Sequence, residues 1–439
     1  MQTPPQRGFV ADPGRVRDLA GQIASKRLSA VALLRRCLER IEEADPHVTC
    51  WCHLDAERAL QTAAERDREV EQGRVRGPLH GIPIAIKDII DVEGLPTRAN
   101  SRSRASTPPA DGDAEIVRPL RTAGAVVLGK VHTTEFAFFD PSPARNPHNL
   151  AHTPGGSSSG SAAAVAAGMV PVAVGTQTVA SVNRPAAYCG IAAFKPSTRT
   201  LSTFGITPLA PSYDTPGFFG FTPADAVYAY EAIQPAFAAL ATRNSVRQKL
   251  TIAIPEDPLL SDAEPEMITA LGRTAEALAR AGHRIERPRS PIAFERLCLI
   301  QRSTMAYEAG RALKPLTAAP PGTVGERILA LIRGGLAIAT AAYLDERAEI
   351  DAMRRDFFPR LKADAFLWPA TPAPAPLGLG STGEPKYIGP WTALGGPIVS
   401  LPAGYDRRGL PIGLILASRP GTDAQMCKWG CKLASDMVG

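Results

Sequence analysis

The chain has 439 residues, of which 44% are hydrophobic and 21% are charged, and its formal net charge is +6. This length predicts one large domain with a lid, or two domains, and the composition excludes a disordered chain and a polytopic membrane protein. Basic residues alternate with acidic ones, as in Glu65-Arg66-Asp67-Arg68-Glu69, which is typical of a solvated helix surface and argues against nucleic-acid binding.

Cysteine spacing and the amino-terminal residues predict a cellular location. The chain has seven cysteines, and no two of them form a CxxC pair, which favours reduced thiols. Residues 1–7 lack the charged and apolar regions of a signal peptide, and the most apolar stretch, 161–174, is interrupted by Gly168 and Pro171. We therefore expect a cytoplasmic protein that does not associate with a membrane.

Residues 1–75 are predicted to form an N-terminal helical region. The first helix begins at Asp12-Pro13, because an N-cap followed by proline is typical of a helix start. The second is capped by Ser29 and is expected to end before Asp45-Pro46, since the residue before a proline disfavours helical geometry. A third, charge-rich helix covers 56–71.

The chain then alternates between strands and helices. Residues 82–86 form a short apolar run that predicts a buried strand ending at Lys87, and the elements that follow continue the alternation. They are a helix over 114–123, a strand over 125–130, an alanine-rich helix from Ser161 and a strand over 171–175. This order favours an α/β fold with a central mixed sheet surrounded by helices.

After Gly217 the pattern is mainly helical. Helices are predicted at about 223–233, 263–281, 291–312 and 341–361. We interpret about 235–360 as a variable helical insert or lid within a larger domain that covers 76–439. Strands at 365–368, 398–401 and 412–416 and a last helix from Asp423 return the chain to the core.

The densest cluster of small residues is Gly155-Gly156-Ser157-Ser158-Ser159-Gly160-Ser161, which leads directly into the alanine-rich helix. A phosphate-binding loop would need Lys-Ser or Lys-Thr where Ala162-Ala163 stand. The string Gly156 to Gly160 also fits the nucleophile elbow of an α/β-hydrolase, with Ser158 as nucleophile. However, no strand precedes it, and the histidine far downstream, His283, lies in a helix-to-strand turn, so we reject both interpretations.

Several ordered motifs resemble the amidase signature family, and especially its malonamidase-like branch. The main one runs from Gly155 through Gly175-Thr176-Gln177-Thr178-Val179-Ala180-Ser181-Val182-Asn183-Arg184 to Gly190. Pro78 to Asp88 resembles the lysine segment of the family, and Lys195-Pro196, Pro211 to Thr215 and Gly409 to Leu414 resemble later markers. The resemblance spans about residues 15–435.

This resemblance implies a Ser-cisSer-Lys triad, with Ser181 as nucleophile, Ser157 as bridging serine and Lys87 as base. The two serines are 24 residues apart, as in the family. The chemistry is physically reasonable, because a lysine at the end of an apolar strand loses hydration, which favours its neutral, proton-accepting form. A serine hydroxyl between lysine and nucleophile both donates and accepts, so it can relay the proton.

The resemblance also implies an oxyanion hole made of the backbone N–H groups of Thr178, Val179, Ala180 and Ser181. The family usually has Gly-Gly where this chain has Val179-Ala180. If those glycines need a positive φ, Val179 would be strained and the loop would differ in shape.

Three further residues are expected at the substrate, namely Arg184, Gln177 and Phe136. An arginine at the position of Arg184 resembles a carboxylate anchor in malonamidase-like members, and a structural salt bridge is the alternative. Phe136, with Phe138 and Phe139, belongs to a segment that the family places near the pocket, and a role in the core is the alternative. The loop after Asp140 and the helical insert are expected to shape that pocket.

We therefore predict a serine hydrolase that cleaves C–N acyl bonds of small molecules, either amides or carbamates (urethanes), through an acyl-enzyme. No metal and no cofactor are expected, because no His, Cys, Asp or Glu set has ligand spacing. A homodimer is compatible with this interpretation. The alternative is a partner-dependent member of an amidotransferase complex or a non-catalytic member, which the loss of glycine at Val179-Ala180 favours.

Overall fold

The computed structural model describes residues 8–234 and 249–437. The strands in these ranges are β1 (Trp51–Leu54), β2 (Pro83–Lys87), β3 (Val126–Val131), β4 (Val172–Gln177), β5 (Ala192–Lys195), β6 (Thr215–Gly220), β7 (Thr251–Ala253), β8 (Arg284–Glu286), β9 (Ala365–Pro369), β10 (Ile398–Tyr405) and β11 (Pro411–Ala417). They form one sheet in the order β1-β3-β2-β4-β6-β5-β10-β11-β9-β7-β8. The sheet is mixed, because β2 runs parallel to β3 and β4, whereas β4 and β6 are antiparallel.

Helices cover the sheet. Those of the first part are α1 (Val16–Ala24), α2 (Ala30–Val48), α3 (Ala56–Glu71), α4 (Val117–Thr122), α5 (Ser159–Ala166), α6 (Asn183–Tyr188) and α7 (Pro223–Ala232). Those of the second part are α8 (Pro265–Arg280), α9 (Phe294–Ala312), α10 (Glu326–Ala337), α11 (Thr340–Leu361), α12 (Gly389–Leu394) and α13 (Asp423–Asp436). The predicted α/β class with a central mixed sheet is therefore confirmed.

The N-terminal region differs from its prediction in three respects, namely the start of α1, the end of α2 and the presence of a strand. α1 begins at Val16 rather than at Pro13, because the Asp12 carboxylate accepts from Gly14 N–H and does not cap the helix. Ser29 caps α2 as predicted, with its side chain accepting from Ala32 N–H at 3.0 Å. However, α2 does not end before Asp45-Pro46.

The helix α2 continues through Pro46 to Val48 and ends where Thr49 takes a φ of 56°. The chain therefore stays helical for two residues after Pro46, although a proline has no N–H to donate to the carbonyl four residues earlier. The third difference is that residues 1–75 contain β1, which pairs with β3 at the edge of the common sheet. This region is thus joined to the same sheet as the rest of the chain.

The predicted insert begins in residues 235–248, which lie outside the described residues. From residue 249 onward it contains α8 to α11, as the helical periodicity predicts, with α10 as an unpredicted addition. It also contains β7 and β8, which extend the sheet beyond β9 and were not predicted. Within the described residues no single helix is long and apolar enough to cross a membrane, although α10 and α11, bent by 99° to each other, pass that test as a pair.

The carboxyl ends of three neighbouring strands position the candidate site. Because β2, β3 and β4 are parallel, their carboxyl ends lie together, and loops that leave such ends commonly carry functional side chains. Ile86 pairs with Val174, which sets the end of β2 beside the end of β4. Lys87 is the last residue of β2, and the loop after β4 leads to Ser181.

Candidate active site

Lys87 is completely buried at the end of β2. Its Nζ lies 2.8 Å from Ser157 Oγ and 2.9 Å from Thr176 Oγ1, so two hydroxyl groups replace the water that it lost. Burial lowers the pKa of Lys87 from 10.5 to about 7, and the negative charge of Asp214 opposes this shift. A substantial fraction of the lysine is therefore neutral near neutral pH and can accept a proton.

Ser157 lies in the loop before α5, and the peptide bond between Gly156 and Ser157 is cis. The side chain is buried, and its hydroxyl faces Lys87. The Ser157 carbonyl accepts hydrogen bonds from Thr134 N–H at 3.1 Å and from Ser159 N–H at 2.9 Å. These bonds fix the loop, which keeps the hydroxyl at its distance from the lysine.

Ser181 stands in the loop between β4 and α6 and lines a cavity of about 590 Å³. Ser181 is slightly exposed, whereas Lys87 and Ser157 are almost completely buried and do not line the cavity. The carbonyl of Ser181 accepts from Ser158 N–H at 3.2 Å. This bond joins the two serine loops, so Ser157 and Ser181 occupy neighbouring backbone segments.

The backbone from Thr178 to Ser181 forms part of the same cavity wall. The carbonyl of Val179 accepts from Thr392 Oγ1 at 2.6 Å, and that of Thr178 accepts from Gln301 Nε2 at 3.3 Å. In a trans peptide the N–H points opposite to the carbonyl. The N–H of Val179 therefore points away from Gln301, and the N–H of Ala180 points away from Thr392.

The N–H groups of Val179, Ala180 and Ser181 make no backbone hydrogen bond to any described residue. Unpaired N–H groups at a cavity wall are suitable donors for an oxyanion. Neither Val179 nor Ala180 has a positive φ, so the strain expected from the missing glycines does not arise.

Asp214 fixes the first residue of this loop. Its buried carboxylate accepts from Thr178 Oγ1 at 2.5 Å and from the N–H groups of Leu209 and Ala210 at 2.9 and 3.0 Å. Burial raises the pKa of Asp214, while these hydrogen bonds oppose the rise. The two backbone donors hold the carboxylate in place, and the carboxylate in turn binds Thr178 just after the end of β4.

Gln177 was expected at the substrate, but the structure places it away from the cavity. Its side chain is fully buried, and its amide groups bind only the protein. Oε1 accepts from the N–H groups of Val182 and Asn183 at 2.9 and 3.0 Å, and Nε2 donates to Thr392 Oγ1 at 2.9 Å. With its oxygen occupied by two donors of α6, Gln177 supports the nucleophile loop.

Arg184 lines the cavity, and its guanidinium is nevertheless bound mainly to protein carbonyls. Nη2 donates to the Gly156 carbonyl at 2.7 Å and to Thr382 Oγ1 at 3.0 Å, and Nη1 donates to the Gly383 carbonyl. Burial lowers its pKa to about 10. The salt bridge considered as an alternative is absent from the described residues, and the arginine instead connects the Ser157 loop with residues 382–383.

Phe136 is also absent from the cavity wall. Its ring is buried, and the guanidinium of Arg104 lies over it at 5.0 Å from the centroid. The neighbouring Phe138 and Phe139 do line the cavity, as expected. The expected loop after Asp140 does not, because residues 137–139 form this part of the wall.

The helical insert supplies the opposite wall. The side chains that it contributes are apolar or long and polar: Cys298, Gln301, Arg302 and Met305 from α9 and Leu331 from α10. The expectation that the insert shapes the pocket is therefore confirmed for the described part of the insert. The remaining wall comes from Leu209 and from residues between 376 and 389.

The rejected alternatives are also accounted for by the structure. Ser158 is fully buried, and its hydroxyl donates to the Thr176 carbonyl at 3.2 Å, so it cannot reach the cavity. His283 binds Asp436 at 2.9 Å.

Four supporting residues were not predicted as part of the site: Thr176, Asp214, Gln301 and Thr392. A lone acidic residue within an apolar stretch could have marked Asp214, and the last residues of β4 could have marked Thr176. Gln301 and Thr392 are more than a hundred residues from the loop that they contact, so no local spacing could identify them.

Comparisons with known proteins show the family to which the chain is related. The amidase family model matches residues 32–427. AmiA2 of Mycobacterium tuberculosis, described as a putative amidase, is 30% identical over 453 aligned residues, which cover 95% of this chain and 92% of AmiA2. A component of the glutamyl-tRNA(Gln) amidotransferase of Chloroflexus aurantiacus is 43% identical over 189 residues, or 42% of this chain and 39% of that component.

A peptide amidase from Stenotrophomonas maltophilia has the same fold, with a TM-score of 0.81, 28% identity and 97% of each chain covered. Similarity thus extends over nearly the whole chain in both sequence and structure. Together with the family model, these relationships establish that the chain belongs to the amidase family.

Proposed function

We propose that this protein is a serine amidase that hydrolyses C–N acyl bonds of small molecules through an acyl-enzyme on Ser181. Membership of the amidase family supports hydrolysis of an amide C–N bond. The observation that carries the assignment of roles is the contact of 2.8 Å between the buried Lys87 Nζ and Ser157 Oγ. This contact supports Lys87 as the base and Ser157 as the relay for the serine that lines the cavity.

In the first half of the reaction, Ser181 Oγ attacks the substrate carbonyl carbon. The Ser181 proton passes to Ser157 Oγ while the Ser157 proton passes to neutral Lys87 Nζ. The negative charge that develops on the carbonyl oxygen accepts hydrogen bonds from N–H groups among Thr178, Val179, Ala180 and Ser181. Collapse of the tetrahedral intermediate breaks the C–N bond, and the proton returns from Lys87 through Ser157 to the leaving nitrogen.

In the second half, water takes the place of the amine. It attacks the acyl carbon and gives its proton to Ser157, which again passes a proton to Lys87. As the second tetrahedral intermediate collapses, the bond to Ser181 Oγ breaks and the proton returns from Lys87 through Ser157 to Ser181 Oγ, which releases the acid and leaves Lys87 neutral again. Nucleophile, relay, base and oxyanion donors all come from the protein, so this cycle needs neither a metal nor a cofactor.

Carbamates (urethanes) are proposed as substrates beside amides. A urethane carbonyl is attacked in the same way and develops the same oxyanion, so the triad does not distinguish the two classes. The cavity wall then decides the preference through its fit to the groups on either side of the carbonyl.

The test combines labelling with turnover by the purified chain alone. A fluorophosphonate probe should label Ser181, and Ser181→Ala should abolish both the label and the release of amine from amides and carbamates. Ser158→Ala is the matched control, because Ser158 is a neighbour of the relay serine but has no access to the cavity. Label on Ser158 would overturn the assignment.

The same experiment examines the alternative of a partner-dependent component of a larger enzyme. The similarity to a component of an amidotransferase over 189 residues is the observation that favours it. Labelling of Ser181 without any turnover of amides or carbamates by the isolated chain would support that alternative. Turnover by the isolated chain would exclude it.

A further inference from the structure

The cavity at Ser181 adjoins a second, more open groove of about 580 Å³. Four residues line both spaces: Phe138, Phe139, Leu331 and Ser381. Beyond them the groove is completed by Arg327, Ala330 and Gly380. Cavity and groove therefore adjoin at two phenylalanines and a leucine, and together they define a path from the wall at Ser181 to the surface beside α10.

The path is lined mainly by apolar atoms. Phe138 and Phe139 pack against each other with ring centroids 4.7 Å apart, and Leu331 comes from the facing helix α10. Ala330, one residue earlier on α10, adds a small apolar floor to the outer groove. A wall of this kind binds methylene or aromatic groups by removing them from water.

Hydrogen bonds fix the two sides of the groove relative to each other. Arg327 Nη1 donates to the Phe139 carbonyl at 2.8 Å and to the Gly380 carbonyl at 3.1 Å. The N–H groups of Gly325 and Ile328 donate to the carboxylates of Glu135 and Asp140 at 2.8 and 3.0 Å. The start of α10 is thus attached to residues 135–140, so the groove exists before a substrate arrives.

From this arrangement we infer that the substrate is an elongated amide or carbamate with an extended apolar arm. The arm runs from the carbonyl at Ser181 between the two phenylalanines and Leu331 into the groove beside Ala330. This inference rests on the proposed function and adds the substrate class to it. The arm belongs either to the acyl group or to the leaving amine, and the shared chemistry in both cases is an unbranched apolar chain.

Two homologous series distinguish these positions. Primary carboxamides from acetamide to decanamide lengthen the acyl group, and N-alkyl acetamides from methyl to octyl lengthen the amine. In the series that lengthens the group bound in the path, kcat/KM should rise about threefold for each methylene that enters the path. The increase should level off once the chain extends beyond the groove into water.

Ala330→Trp is the decisive variant, because Ala330 is exposed and an indole ring there fills the outer groove without entering the core. It should leave the shortest substrates unchanged and reduce kcat/KM for the longest ones tenfold or more. Arg333→Trp, on the same helix and also exposed but outside the groove, is the matched control and should retain the full chain-length dependence. Equal unfolding temperatures would show that both variants fold.

Hydrolysis of short amides with no chain-length dependence in either series would overturn the inference and leave the proposed function intact. A chain-length dependence that Ala330→Trp does not alter would overturn it as well. Absence of turnover for every amide and carbamate, short or long, would instead contradict the proposed function.

Discussion

Gln177 Nε2 donates to Thr392 Oγ1 at 2.9 Å, which leaves the hydroxyl hydrogen of Thr392 free to reach the Val179 carbonyl at 2.6 Å. A hydroxyl group has only one hydrogen, so the amide donor sets the direction of the second bond. The oxygen of the same amide accepts from Val182 N–H and Asn183 N–H at the start of α6. Gln177 therefore supports the backbone on both sides of Ser181, before it through Thr392 and Val179 and after it at the start of α6.

Gln177→Glu should disturb the oxyanion loop with little change in shape. A carboxylate still accepts from the two N–H groups of α6, but it also accepts the Thr392 hydrogen, which then leaves the Val179 carbonyl. We expect kcat to fall about tenfold to a thousandfold with a small change in KM, as for loss of an oxyanion donor. Steady-state kinetics with a short amide measures this.

Thr392→Val should give a similar decrease in kcat by removing the hydroxyl itself. Thr274→Val is the control, because Thr274 is a buried threonine on α8 that does not line the cavity. A wild-type kcat in both Gln177→Glu and Thr392→Val would show that the orientation of the Val179 peptide does not matter for the reaction.

Lys87→Arg should remain folded and lose about two or more orders of magnitude in acylation rate, the scale of general-base catalysis. Arginine keeps the positive charge but stays protonated throughout the accessible pH range. In the wild type, kcat/KM should be low in acid and rise through about pH 7, because the pKa of Lys87 is lowered to about 7. A folded Lys87→Arg protein with wild-type turnover and pH profile would make Lys87 structural.

Lys195 provides a control for burial alone. It is also fully buried, its pKa is also lowered to about 7 by burial, and its Nζ donates to the Pro196 carbonyl at 2.6 Å. It lies at the end of β5 and does not line the cavity. Lys195→Met should therefore retain the wild-type pH profile of kcat/KM, whereas Lys87→Met should be inactive.

The stability of the fold should also depend on Lys87. In the unfolded chain the pKa of a lysine is about 10.4, and in the folded protein that of Lys87 is about 7. Between these values the unfolded chain holds a proton that the folded chain lacks, so the contribution of Lys87 to the free energy of unfolding rises with pH. Below about pH 7 both states are protonated and the contribution is constant.

Lys87→Met should accordingly have a higher unfolding temperature than the wild type near pH 7, and the difference should shrink as the pH approaches about 10. Thermal unfolding of both proteins over this pH range measures it. A difference that stays constant or grows with pH would contradict burial as the cause of the lowered pKa.

Chelation should have no effect on turnover. The proposed cycle obtains its nucleophile and base from Ser181 and Lys87, and in the described residues no group of three His, Cys, Asp or Glu side chains could hold a metal ion. Prolonged treatment with EDTA should leave kcat/KM unchanged. Loss of activity that zinc restores would refute the metal-free mechanism.

Much of the fold could be predicted from periodicity, because long amphipathic helices and apolar strands carry strong local signals. The predictions at 263–281 and 341–361 agree with α8 and α11 to within a few residues. The strands β7 and β8 were missed, because each has only three residues and pairs with segments far away in sequence. The predicted end of α2 was wrong, because the helix continues for two residues beyond Pro46.

The candidate site, like the fold, could be predicted only in part. Lys87, Ser157 and Ser181 stand in three separate motifs, and only the resemblance to the amidase family implied that they lie together; the contact between Lys87 and Ser157 agrees with that expectation. Gln177 and Phe136 were expected at the substrate, yet both side chains turn into the protein. Sequence indicates which residues share a loop, but the direction of each side chain depends on tertiary partners.

The contact from Gln301 Nε2 to the Thr178 carbonyl has a consequence for how this enzyme can change during evolution or design. Gln301 lies on α9 between Cys298 and Met305, which line the cavity. A substitution on α9 that adapts the cavity to a new substrate can also shift this helix. Because the same helix supports the loop of residues 178–181, a gain in selectivity there is coupled to a loss in rate. Ala330, on the groove side of α10, lines the outer groove and not the cavity at Ser181, which makes it the safer position at which to alter substrate preference.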